Sequence, residues 1–124
     1  MVVSKKIVIV EDEPDTAEML AEMVRLVGFQ AVKSYGGIRA IDVIADIKPA
    51  AVLLDLMMPD LSGMEVIRYM QRDPRLEHIP VIIISARGLP SDVQSGLKAG
   101  ASVYLTKPVS FVELREAVES VVQN

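Results

Sequence analysis

The sequence predicts an α/β domain built on a doubly wound parallel sheet, and three observations carry that prediction. Five apolar runs of strand length alternate with five segments of helical period. The central runs, Val52-Leu53-Leu54 and Val81-Ile82-Ile83-Ile84, are apolar without polar alternation, as strands covered on both faces must be. The residues with chemistry to offer, among them Asp12, Asp55, Ser85 and Lys107, stand at the ends of those runs.

Taken in order, Ile7 to Val10 is the first strand. Pro14 suits a first helical turn, Ala17, Leu20, Ala21, Val24 and Val27 form one apolar stripe, and Gly28 stops the helix. Residues 30–34 make a weaker strand, with Ala31 and Val32 but also Lys33. Residues 37–47 are helical, with Ala40, Ile44 and Ile47 on one face and Ile41 close by. Pro49 separates them from strand 51–54. The next helix, 63–72, carries Met64, Ile67 and Met70, and Pro74 forbids a long continuation.

Strand 81–84 leads to a poorer helix at 92–99. There Gly96 costs about 1 kcal/mol relative to Ala, and with Gly88 and Pro90 ahead of it this surface is expected to be the most mobile. Gly100, strand 102–105 and a last helix at 111–122 complete the chain. Ser110 and Glu113 fit a capping box at its start, and Leu114, Ala117, Val118 and Val121 form its stripe. Five βα units with right-handed crossovers satisfy a flavodoxin-like three-layer sandwich of strand order 2-1-3-4-5. The topological switch then falls between strands 1 and 3, which deliver Asp12 and Asp55.

At 124 residues and 51% hydrophobic composition, the chain is expected to be one domain over 1–124, with no output domain visible. The absence of cysteine excludes disulfides and thiolate chemistry. A formal charge of −4 with no basic stripe argues against direct nucleic-acid binding. No apolar run has the length of a membrane span, and residues 1–5 carry no signal-peptide pattern, so a cytoplasmic location is expected.

Carboxylates brought close together repel, and a hard divalent cation relieves them. Asp12 and Asp55 can supply two ligands to magnesium, Glu11 can act through water, and the Met57 main-chain carbonyl can complete the set. An aspartate is also a phosphoryl-accepting nucleophile. Asp55 would attack a donor in line, while Lys107 neutralises one oxygen of the transferring group and Ser85 hydrogen-bonds another. A lone Asp after a strand is most often a cap or a turn residue, and a lone Ser or Lys is usually structural. The conjunction at four strand ends is what points to phosphoryl transfer.

The chain resembles a response-regulator receiver domain of bacterial two-component signalling, of the chemotaxis-regulator kind, over essentially its whole length. The matching pieces are IVIVEDEPD (7–15), LLDLMMPDLSGMEVI (53–67), IIISA (82–86) and KAGASVYLTKP (98–108). The resemblance implies that Asp55 is the phosphoacceptor, that Glu11 and Asp12 form the acidic pair, and that Asp12, Asp55 and the Met57 carbonyl bind Mg2+. It also implies that Ser85 is the switch hydroxyl, Tyr104 the switch aromatic and Lys107 the signature lysine, ahead of a cis Lys107-Pro108 bond.

The implied partner is a histidine kinase or histidine phosphotransfer protein. Transfer and hydrolysis would be self-catalysed, and the output would be binding to a downstream protein. Ser102-Val103 stands where many DNA-binding members carry an acidic pair, so the expected state is a monomer or a weak dimer modulated by phosphorylation. Ala86 would leave room for the phosphoryl group, and Met57 and Arg87 would limit water access. His78, in a polar loop, is expected outside the site.

Three other functions fit the sequence less well. A degenerate receiver acting as a phosphorylation-independent binding module would not need the acidic, hydroxyl and amine positions. A small flavodoxin-like electron carrier would have its flavin phosphate repelled by Glu11-Asp12-Glu13. A nucleotide triphosphatase lacks GxxxxGK.

Overall fold

The computed structural model describes residues 5–122. Residues 1–4 and 123–124, and with them most of the N-terminal stretch read for a signal pattern, lie outside the described residues. Ten elements alternate along the chain: β1 (Lys6–Val10), α1 (Pro14–Val27), β2 (Gln30–Ser34), α2 (Gly37–Ile47), β3 (Ala51–Leu54), α3 (Gly63–Arg72), β4 (Val81–Ser85), α4 (Pro90–Ala99), β5 (Val103–Thr106) and α5 (Phe111–Val121). The strands form one sheet of order β2-β1-β3-β4-β5, and every pairing is parallel. This is the doubly wound order that the sequence predicts.

The period-2 geometry of the strands divides the core into two layers. Val8, Val10, Val52, Leu54 and Ile83 pack with Ala40 and Ile44 of α2 and Val66, Ile67 and Met70 of α3. Ile7, Ile9, Leu53, Ile82 and Ile84 point the other way, against Leu20, Ala21 and Val24 of α1 and Leu114, Ala117 and Val118 of α5. Buried on both faces, the central strands have no need of polar alternation. In α3 the buried stripe includes Val66, while Met64 is only half-buried. Among the described residues no helix is long and apolar enough to cross a membrane.

Caps set the helix boundaries. Glu13, which the sequence groups with the acidic cluster, spends its carboxylate on the N–H groups of Asp15 and Thr16 at the start of α1. Both halves of the Ser110/Glu113 capping box are present on α5. Helix α4 opens at Pro90, two residues before the expected start, because proline fits the first helical position and has no N–H to leave unpaired.

Gly96 has a packing role that its helix propensity does not show. It is the buried residue of α4. A Cβ there would stand 2.7 Å from Ile83 Cδ1 and 2.8 Å from Tyr104 Cδ2. The missing side chain lets the helix backbone approach β4 and β5 closely. Gly96→Ala should therefore lower stability, although Ala is the better helix former. The propensity gain is about 1 kcal/mol, and forcing a methyl into a filled slot costs about 1–3 kcal/mol. Urea unfolding decides this: a more stable variant would mean that the slot is slack.

Candidate functional site

Parallel strands put all their carboxyl ends on one rim. The backbone ladder continues just past the strand ends, which fixes the residues that follow. The Asp55 N–H donates to the Val10 carbonyl at 3.0 Å, the Glu11 N–H to the Ser34 carbonyl at 3.1 Å, and the Lys107 N–H to the Ser85 carbonyl at 2.8 Å. Glu11 and Asp12 thus follow β1, Asp55 follows β3, Ser85 closes β4 and Lys107 follows β5.

Glu11, Asp12 and Asp55 each offer one carboxylate oxygen, and these oxygens lie within 4.8 Å of one another. Glu11 and Asp55 are buried, at 1% and 6% exposure, and Asp12 is more open to solvent. At an effective dielectric near 20, two such charges repel by on the order of 3 kcal/mol. One ammonium offsets part of this. Lys107 Nζ donates to Glu11 Oε1 at 2.8 Å and stands 3.7 Å from Asp55 Oδ2.

Glu11 is engaged through both oxygens, since its Oε2 accepts from the Glu13 N–H at 3.2 Å. Asp55 Oδ1 accepts from the Met57 N–H at 3.2 Å, which folds that exposed residue's backbone against the carboxylate. Asp12 makes no hydrogen bond or ion pair within the described residues. Three carboxylates against one ammonium leave a formal charge of −2, and all the free donors are oxygens. That set fits a hard divalent cation.

Burial pulls the Lys107 ammonium down, but the Glu11 hydrogen bond and the charges of Asp55 and Glu11 outweigh it. Its pKa lies above the ordinary lysine value. The Lys107-Pro108 peptide bond is cis.

Ser85 is fully buried, and its Oγ accepts from the Arg87 N–H at 3.1 Å. Tyr104, half-buried on β5, donates its hydroxyl to the Arg87 carbonyl at 2.5 Å. The backbone of Arg87 therefore touches both side chains. The Arg87 guanidinium lies 3.8 Å from Asp92 in the first turn of α4. His78 lies on an exposed loop ahead of β4, at the amino ends of the strands, where it lines a cavity with Lys5, Lys48 and Pro80.

The structure thus gathers Glu11, Asp12, Asp55 and Lys107 into one cluster. Met57 is bonded to that cluster through its N–H, the Ser85 backbone is bonded to that of Lys107, and the Ser85 and Tyr104 side chains both meet the backbone of Arg87. Two participants were missed. The Arg87 backbone carries no side-chain signal that a sequence could show. Asp60 caps α2 through the Gly37 and Ile38 N–H groups, both at 3.1 Å. A hint of it existed, because Gly36-Gly37 opens a helix with no capping side chain of its own.

Comparison with known proteins agrees with this geometry. Residues 7–119 match the family model described as the response regulator receiver domain. The polar-differentiation response regulator DivK of Brucella anthropi is 28% identical over 116 residues, 94% of each chain. The signal receiver domain of a histidine kinase from Syntrophus aciditrophicus is 31% identical, with a TM-score of 0.86 over 95% of this chain and 89% of that one. The receiver domain of a sensor histidine kinase from Pseudomonas aeruginosa, solved with a magnesium ion coordinated in its active-site cleft, is 27% identical. Its TM-score is 0.88 over 96% of this chain and 98% of that one. The chain belongs to the response-regulator receiver-domain family, the phosphorylation-dependent switches of bacterial two-component signalling.

The lysine gives a direct test of the cluster. Its raised pKa means that the Lys107 contribution to stability is fully present below the ordinary 10.5 and is lost as pH rises through the higher folded value. Glu11→Gln removes the hydrogen-bonded carboxylate while burial remains, so the Lys107 midpoint should fall. An NMR titration of the Lys107 side chain reads it directly, and an unchanged midpoint would show that Glu11 does not hold the ammonium.

Proposed function

We propose that this chain accepts a phosphoryl group on Asp55 from a histidine kinase or histidine phosphotransfer protein, with magnesium, and hydrolyses the product itself. The observation that carries this reading is the cluster of Glu11, Asp12 and Asp55 oxygens within 4.8 Å, with Lys107 as the ammonium among them. Asp12, Asp55 and the Met57 carbonyl would hold Mg2+, with Glu11 acting through water. The ion, when bound, screens the carboxylates and neutralises phosphoryl oxygens. In its relative from Pseudomonas aeruginosa, a magnesium ion is coordinated in the active-site cleft.

Asp55 is buried at the end of a central strand, so its carboxylate is held for attack rather than free to rotate in solvent. One of its oxygens forms the O–P bond as the donor's P–N bond breaks. The imidazole nitrogen keeps that electron pair and leaves as the neutral ring, its other nitrogen carrying a proton. Lys107, already 3.7 Å from Asp55 Oδ2, pairs with an oxygen of the transferred group. In the reverse half of the cycle, water attacks phosphorus and the same O–P bond breaks. Inorganic phosphate departs with the water's proton shared with solvent, and the carboxylate is restored.

The readout on this reading begins at Ser85. A phosphoryl group adds acceptor oxygens, and the buried hydroxyl turns toward one of them. Its bond to the Arg87 N–H is then disturbed, and the Arg87 carbonyl that holds the Tyr104 hydroxyl moves with the same residue. Tyr104 is released to turn inward, and the α4–β5–α5 surface offers a different face to its partner. The same reading makes residues 1–124 one cytoplasmic receiver domain, a monomer or a weak dimer modulated by phosphorylation. Neither a phosphorylation-independent module nor an electron carrier has an observation in its favour.

Two outcomes are expected. With Mg2+ and a small phosphodonor, intact mass should show one added phosphoryl group, absent in Asp55→Asn; undiminished modification of that variant would sink the assignment. With a phosphoryl mimic, NMR shifts should extend to Tyr104 and the α4 backbone. Changes confined to the loops around Asp55, Ser85 and Lys107 would rule out the relay while leaving the acceptor intact.

A further inference from the structure

Helix α2 starts at Gly37, and its N-cap, Gly36, offers no side-chain acceptor. The acceptor comes from 23 and 22 residues further along the chain. Asp60 Oδ1 takes the Gly37 N–H and Oδ2 takes the Ile38 N–H, both at 3.1 Å. A carboxylate suits this place, because the first turn of a helix has unpaired N–H groups and a positive dipole end.

The chain is shaped to let the two segments meet. A Cβ on Gly36 would stand 2.9 Å from Asp60 Oδ2, and one on Gly37 would stand 2.5 Å from the Leu61 carbonyl oxygen. The loop that carries Asp60 is the one between β3 and α3, residues 55–62. Its far end is equally tight, since a Cβ on Gly63 would stand 2.5 Å from the Asp55 carbonyl oxygen. The Gly63 N–H also closes on the Leu56 carbonyl at 3.1 Å.

Met57 lies within this loop and is 54% exposed. Packing of its own side chain therefore does little to place its carbonyl. That carbonyl is only as well positioned as the loop itself, which is tied down by the Met57 N–H on Asp55 Oδ1, by Leu56, Met58 and Leu61 packed on the core, and, toward its far end, by Asp60 on the first turn of α2.

We propose that Asp60 is a positioning residue for the divalent-cation site: by gripping the first turn of α2 it holds residues 56–60 so that the Met57 carbonyl stands ready beside Asp55. This inference rests on the reading of Asp12, Asp55 and the Met57 carbonyl as the ligand set. Asp60 itself touches neither cation nor phosphoryl group. Its loss leaves the reacting carboxylate in place but loosens one ligand, so the defect falls on cation affinity rather than on chemistry at saturating cation.

The test is calorimetric titration of the whole chain with Mg2+, for wild type, Asp60→Ala, Asp60→Asn, Asp12→Ala and Ser110→Ala. Asp60→Ala should weaken Mg2+ binding by about tenfold, the lower end for residues that orient metal ligands. Asp60→Asn keeps one acceptor oxygen and should lose less. At saturating Mg2+, phosphorylation of Asp60→Ala by acetyl phosphate should return to within about twofold of wild type, because a ligand-positioning defect is overcome by mass action.

Ser110→Ala removes a comparable helix cap at α5, away from the loop, and is the control for stability. It should lower the Tm and leave Mg2+ affinity unchanged. Equal Mg2+ affinity of wild type and Asp60→Ala, or an equal loss in Ser110→Ala, would overturn the proposal. If Asp12→Ala weakens binding while both Asp60 variants do not, the Asp60 role alone is wrong. If wild type binds no Mg2+, or Asp12→Ala binds it equally well, the ligand set fails and this inference fails with it.

Discussion

The ion pair between Glu11 and Lys107 holds the site together. It joins the residue after β1 to the residue after β5, across the ends of β3 and β4, and its partners are 96 positions apart in the chain. A carboxylate at 1% exposure without a partner would cost several kcal/mol. The ammonium of Lys107 keeps 28% of its side-chain surface in contact with solvent. Breaking the pair should therefore cost nearer the lower end of the roughly 3–5 kcal/mol typical of fully buried pairs. The same reach that satisfies Glu11 brings the ammonium within 3.7 Å of Asp55. A structural requirement of the buried acid thus places the one cation next to the proposed nucleophile.

The other half of the site, around α4, is less deeply buried. Helix α4 has a single buried residue, Gly96, among its ten, so little apolar surface ties it to the sheet. It is held by the close approach of Gly96 to Ile83 and Tyr104, by Ala99 on the core and by α3. Tyr104 packs on the same core and donates one hydrogen bond to the Arg87 carbonyl. Such a bond contributes about 1 kcal/mol net. Inverting a two-state population from 1:99 to 99:1 takes ~5.5 kcal/mol. On the proposed reading a phosphoryl group bonding Ser85 would supply about 1.5–3 kcal/mol of this, and a bond to Lys107 would add to it only so far as the lysine's loss of Glu11 is offset.

The strands were legible because both faces of the sheet are covered, which made Ile7–Val10, Val52–Leu54 and Val81–Ile84 read as unbroken apolar runs. The acidic residues, Ser85 and Lys107 were legible as residue types at strand ends. Their pairing was not. Lys107 and Glu11 pair with each other here, across 96 positions of chain, and no spacing in the sequence pointed to that contact. Glu13 was counted with the acids and turned out to be a cap. Gly96 read as a weak point, because propensity is a property of one residue and close approach is a property of three. Asp60 and the Arg87 backbone act across distance or without a side chain, and sequence spacing encodes neither.

The balance of charge explains why a lysine alone is not enough for the proposed chemistry. Before transfer, three carboxylates face one ammonium. After it, one carboxylate is replaced by a group carrying about −1.5 to −2, and the ammonium has two competing partners. If Lys107 turns to the phosphoryl oxygens it leaves Glu11, the most deeply buried of the three acids, with only the Glu13 N–H. If it stays, the phosphoryl group lacks its cation. On the proposed reading Asp12 and Asp55 would hold a divalent ion, whose charge would relieve this competition, and Asp12 has no partner among the described residues to give up. On the proposed reading, then, the ion does more than assist attack. Its charge would let Lys107 serve a buried structural acid and a transient phosphoryl group in turn.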